Sequence, residues 1–210
     1  MMMSPDFYYE SEVQGKAANV IWGEIHSLQR DKARFKRIVE RPGWELTRLP
    51  DEKTMLGFTR EYLQMAVKAL EEAGECYHPT EEEISDAAFN DDMPLITEMT
   101  LVTNRYGNGY AERKILINGD SIFLLVRLSP EAEYAESTYS VSRNRLFEEL
   151  QRIHIGEWKP EYKDLSGKVN LTWSLEISYD DSLPGKKFSG CGAAPFSFDE
   201  LCYLMTDPYI

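Results

Sequence analysis

The chain has 210 residues, with 42% hydrophobic and 12% aromatic residues and a formal net charge of −13. That is enough apolar material for one large or two small domains with a real core. The excess of carboxylates excludes free nucleic acid and anionic membranes as principal partners, because Coulomb repulsion opposes both encounters.

From the N-terminus, Met1-Met2-Met3-Ser4-Pro5-Asp6 lacks the basic start and apolar run of a signal peptide. Apolar residues from Val13 through Ile21, Ile25, Leu28 and Phe35 to Val39 follow helical spacing, and Pro42-Gly43 stops the run. Gly15 and Gly23 weaken its early turns and predict a break or bend. Trp44, Leu46 and Leu49 form an apolar connector. A second helix starts at about Asp51, its N-cap, and ends at Ala73, with Phe58, Tyr62, Met65, Ala66, Ala69 and Leu70 facing inward. Gly74 stands where a left-handed residue closes a helix. Thr80 and Glu83 have capping-box spacing and open a third helix through Ile84, Ala87 and Ala88.

From Leu95 the period changes. Leu95 to Thr103 reads as a strand, Tyr110 to Ile117 as its return, and Ser121 to Leu128 as a third strand after the tight turn Asn118-Gly119-Asp120. The run Ile122-Phe123-Leu124-Leu125-Val126 suggests burial on both faces, and Pro130 to Val141 reads as a polar loop. Ser142 caps a helix bearing Leu146, Phe147, Leu150 and Ile153. The clearest strand is 171–179. Leu171, Trp173, Leu175, Ile177 and Tyr179 share one face, and Thr172, Ser174, Glu176 and Ser178 the other. A glycine-led turn, Gly190-Cys191-Gly192-Ala193-Ala194-Pro195, leads to a last helix near Ser197, with Glu200 completing a capping box.

The order Ile155-x-x-Trp158-x-x-x-Tyr162, then Trp173-x-Leu175-x-Ile177, then Gly190, Pro195, Phe196, Phe198 and Leu201 resembles an uncharacterised domain of small hypothetical proteins from Gram-positive bacteria. The likeness covers about the last third of the chain. Two places depart from it. The usual Asp-Gly before the Trp-x-Leu strand is replaced by Gly167-Lys168-Val169-Asn170-Leu171, and a polar Gly-Ser-Asn turn by Gly190-Cys191-Gly192. The resemblance implies a fold unit and a bacterial origin, and no activity.

Candidate chemistry is sparse. Of the histidines, His26, His78 and His154, only His78 has a cysteine close by, Cys76, and a zinc site needs a second such pair. All three read as unpaired surface or boundary residues, and the expectation is no metal and no cofactor. Cys76, Cys191 and Cys202 form no CxxC pair and suit a reducing cytoplasm. No apolar run reaches bilayer length. Arg30, Lys32, Arg34, Lys36, Arg37 and Arg41 crowd the end of the first long helix, where cations complement the dipole, and read as a solvated end. Glu81, Glu82, Glu83, Asp86, Asp91 and Asp92 lack the alternation of a calcium loop. The first four suit a helix start, with Asp91 and Asp92 in the loop that follows.

The fold expected is α+β: a helical N-terminal part over 1–92, then over 93–210 an antiparallel sheet with packed helices in the order β-β-β-α-β-β-α, as two domains or as one continuous globule. The function expected first is an acidic cytoplasmic protein-binding or inhibitory module, of the immunity or phage counter-defence type. Glu81, Glu82, Glu83, Asp86, Asp91, Asp92 and Tyr77 would then meet a basic protein surface. The alternatives are an enzyme centred on Cys191 and its glycine turn, for which no catalytic residue set is legible, and a nucleic-acid mimic.

Overall fold

The structure is a computed structural model that describes residues 3–44, 49–107, 109–139, 142–166, 169–180 and 182–206. Leu46 of the apolar connector and Gly167-Lys168 of the departing turn lie outside these residues. The chain forms two compact units, Met1–Pro79 and Thr80–Ile210.

The first unit is helical. Pro5–Tyr8 (α1) continues as a π-helical turn to Val13, and Gly15 then breaks the path at φ +68° before α2, Ala18–Val39. The expected break therefore falls at Gly15, while Gly23 sits inside α2. Helix α3, Glu52–Glu72, starts where the Asp51 side chain accepts from the Thr54 amide at 2.6 Å, and Gly74 follows at φ +83°. Its buried face is carried by Leu56, Thr59, Leu63, Ala66, Ala69 and Leu70, with Phe58, Tyr62 and Met65 at the margin. Ile21, Ile25 and Leu28 of α2 meet Leu63, Ala66, Ala69 and Leu70 of α3 in one core, and Tyr8 stacks on Tyr62 at 4.4 Å. Lys32 and Lys36 are buried rather than solvated. A buried ammonium needs a polar partner, and neither lacks one.

The second unit opens with α4, Glu81–Asp92, on the Thr80–Glu83 capping box. A sequence division near Asp92 leaves α4 with the helices; the compact units divide before Thr80, which joins α4 to the sheet. The seven-stranded sheet has the order β4-β3-β2-β1-β6-β7-β5. Its strands are β1 Ile96–Arg105, β2 Gly109–Asn118, β3 Ser121–Arg127, β4 Ala135–Thr138, β5 Glu161–Lys163, β6 Leu171–Tyr179 and β7 Lys186–Cys191. All pairings are antiparallel except β5 with β7. Helices α5, Arg143–Ile153, and α6, Phe198–Leu204, complete the α+β fold.

Strand β6 has the expected alternation, with Trp173, Leu175, Ile177 and Tyr179 buried. Trp173 lies 4.7 Å from the Phe198 ring and 6.0 Å from that of Trp158, and its indole donates to the Ala193 carbonyl at 2.9 Å. Three expectations from the sequence do not hold. Strand β3 buries Ile122 and Leu124 fully but Phe123, Leu125 and Val126 only in part, so one of its faces is half covered. Strand β4 lies inside the expected polar loop; all its residues are exposed, so backbone pairing to β3 specifies it and no side-chain period announces it. Ser197 does not cap α6 with its hydroxyl. That oxygen accepts from the Trp158 indole at 3.1 Å and donates to the Ile153 carbonyl at 2.5 Å, which ties three elements together.

Candidate functional site

Helix α4 is the element around which candidate chemistry gathers. Of its residues only Asp86 and Phe89 are buried. Phe89 is fully inside, and Asp86 points the same way although it carries a carboxyl group. It meets the end of α5. There the chain turns at His154, whose backbone is left-handed at φ +53°, and runs through a 3₁₀ turn, Ile155–Glu157. A non-glycine residue with positive φ is uncommon, and histidine is among the residues that tolerate it best.

The turn lies directly on α4. A Cβ on Gly156 would stand 2.4 Å from the Asp86 Cα and 2.7 Å from the Ser85 carbonyl oxygen, so only glycine fits without displacement. The Ser85 hydroxyl donates to the Gly156 carbonyl at 2.7 Å. With the backbones this close, His154 Nδ1 and Asp86 Oδ2 are 2.6 Å apart, and Glu157 is buried beside them. Asp86, His154 and Glu157 each bring one possible ligand atom to within 4.8 Å of the others. Asp86 Oδ1 is buried with no hydrogen-bond partner.

The residues of the expected acidic patch have different employments. Glu81 and Glu82 are exposed in the first turn of α4, and Asp91 is exposed near its end. The Glu83 side chain closes the capping box on the Thr80 amide at 2.8 Å. Asp86 faces inward. Asp91 and Asp92 lie in the last turn of α4 rather than in a loop, at the negative end of the dipole, and Lys186 lies 3.6 Å from Asp92 to offset it. Tyr77 belongs to the first unit, half-buried near Trp22, and its hydroxyl accepts from Gln29 at 2.9 Å. His154 is paired, contrary to expectation. So is His26, which stacks on Trp22 and lies 3.4 Å from the Gln29 amide.

The glycine turn is a packing device. A Cβ on Gly190 would stand 2.0 Å from the Trp173 indole nitrogen, and Gly192 takes φ +73°. Two open grooves, of about 530 and 520 Å³, flank Tyr203. The first runs between α5 and α6 past Glu149, Arg152, Asp199 and Glu200; the second crosses β1 and β2 past Arg105, Arg113 and Cys202. Cys191 lines neither. Burial pushes the Cys202 thiol up to about 11, against a smaller opposing pull from Arg105, so it is a poor nucleophile at neutral pH.

The chain matches no protein-family model, no curated protein and no solved structure. Among the described residues no helix is long and apolar enough to cross a membrane. Sequence reasoning missed His154 and Glu157. Their spacing, two intervening residues around a glycine at a helix end, was the available signal.

Proposed function

We propose that the protein is an acidic cytoplasmic binding module that docks a basic protein surface on the outer face of α4. The observation that supports this is the make-up of that face. Ile84, Ala87, Ala88 and Asp91 recur at helical spacing and are all exposed, Ile84 at 55%, with Glu81 and Glu82 at one end. An apolar strip ending in carboxylates at both ends suits a partner that carries a small apolar knob among lysines or arginines. The apolar centre excludes water and the carboxylates raise the encounter rate. The nucleic-acid mimic fits this face less well, since a phosphate array has no apolar centre.

A photo-crosslinker placed at Ile84 should trap a basic protein from native cytosol, and the purified partner then allows kinetics. Substituting Glu81→Gln, Glu82→Gln and Asp91→Asn together should slow association about tenfold at low salt and flatten its salt dependence, with little change in dissociation. Glu83 is left in place because it holds the helix cap. An association rate and salt slope unaltered by the triple substitution would refute the reading.

A further inference from the structure

We propose that Asp86, His154 and Glu157 form a site for a first-row divalent cation, zinc first among them, that clamps α4 to the turn after α5. This concerns the buried side of α4 and stands whether or not the outer face docks a partner.

Two carboxylates and an imidazole offer ligand atoms within 4.8 Å of one another. An ion with bonds of about 2.0–2.2 Å holds its ligands roughly 3–4 Å apart, so small side-chain rotations complete the set. Imidazole with carboxylate suits zinc, manganese or iron, whereas calcium takes six or more oxygens and thiolate-seeking ions find no sulfur here. Asp86 and Glu157 are 8% and 7% exposed, so two acidic residues share a space largely closed to water. Two like charges in a low dielectric repel, and a divalent cation between them would offset that repulsion. The His154 pairing serves Asp86 Oδ2 alone and leaves Oδ1 buried without a partner. A cation against this carboxylate supplies what is missing. The His154 side chain is 26% exposed, which leaves an approach for the ion and for the waters that complete its shell.

The backbone also favours a fixed site. His154 is the only non-glycine residue with positive φ among those described, and strain of that kind collects where geometry matters. Gly156 sits between the two ligands of the turn and presses on the α4 backbone, so His154 and Glu157 are both delivered to Asp86. The three ligands come from two elements joined at this contact, so an ion would tie α4 to the turn.

The test is isothermal titration of the full chain, stripped with chelator, with zinc, manganese, magnesium and calcium in turn. One equivalent of zinc should bind, manganese more weakly, and magnesium and calcium at least about tenfold more weakly again. Asp86→Asn and Glu157→Gln, each checked for folding by circular dichroism, should each weaken zinc binding at least about tenfold, the range found even for residues that only support a ligand. Cys76 and His78 are exposed and could hold zinc by themselves. A Cys76→Ser, His78→Gln double variant should therefore keep the wild-type affinity. Imidazole ¹⁵N spectra of the wild-type chain add a readout independent of any variant, with the His154 resonances moving first on zinc addition. Absence of zinc binding, binding lost in the Cys76/His78 variant, binding kept in both triad variants, or first movement at His26 or His78 would each overturn the site.

Discussion

Two seams of the second unit are built on the same device and filled differently. At β7, Gly190 lets the Trp173 indole lie against the backbone; at the turn after α5, Gly156 lets α4 do so. Beyond the glycine they diverge. The Gly190 seam is aromatic, with Trp158, Tyr162, Phe188 and Phe198 around Trp173 or its neighbour. The Gly156 seam holds Asp86, His154 and Glu157. Burial of apolar surface stabilises the first without further conditions. The second buries two carboxylates beside an imidazole, so its contribution depends on hydrogen bonds and charge pairing rather than on apolar area. The first seam is therefore held by burial and the second by polar contacts.

The largest effect that would separate the seams comes from Trp173→Ala, expected to destabilise by about 3–5 kcal/mol through lost burial and a residual cavity. A chemical-denaturation midpoint that stays put would break the assignment of that seam as core. Gly190→Ala and Gly156→Ala come next, each expected to cost about 1–3 kcal/mol because a neighbour must move. The contrast lies in where the damage appears. Hydrogen exchange should quicken across β6 and β7 for the first and across α4 for the second, and identical patterns would show that the seams are one.

A smaller effect involves a charged cluster centred on β2. Glu112 on β2 accepts from Tyr110, from Tyr134 and from Arg127, whose Nε and Nη2 lie 2.8 and 2.6 Å from Oε2. Burial alone would raise the carboxyl, but the hydrogen bonds from Tyr110, Tyr134 and Arg127 outweigh it and hold Glu112 below the usual carboxylate range. A carboxyl depressed on folding contributes stability above its unfolded pKa of about 4.3, lost as pH falls through the lower folded value. Denaturation followed from pH 5 downward should thus show an acid-limb loss that Glu112→Gln reduces, and equal limbs would remove Glu112 from the account. The smallest expected effect is an order of labelling. At pH 8 iodoacetamide should modify exposed Cys76 first and Cys202 last, read by peptide mass, because burial holds the Cys202 thiol near 11.

The aromatic seam was legible in the sequence and the polar one was not, for a physical reason. Strand β6 announces itself because each buried residue is apolar and the period is two. Its partners, Trp158 to Phe198, lie within 40 residues of Trp173. Asp86 and His154 are 68 residues apart, and either alone is an ordinary surface residue. Their meeting depends on how α4 lies on the turn, which no local pattern encodes. Ser197 shows a local pattern misleading in the other direction. Serine followed by Glu200 has capping-box spacing, yet burial beside Trp158 gives its hydroxyl a better use. Strand β4, exposed throughout, had no side-chain signal to offer.

The strand order has a consequence for synthesis on the ribosome. β1 pairs on one side with β2, available as soon as the hairpin emerges, and on the other with β6, some 70 residues later in the chain. Until Tyr179 has left the exit tunnel, the β1 edge offers unpaired amides and carbonyls from Ile96 to Arg105, with Met99 and Leu101 uncovered beside them. Such an edge readily recruits a strand from another chain. At translation rates of about 5–20 residues per second, the exposure lasts on the order of several seconds. The nascent protein is most exposed to misassembly in that interval, and β6 ends it by occupying the open side of β1.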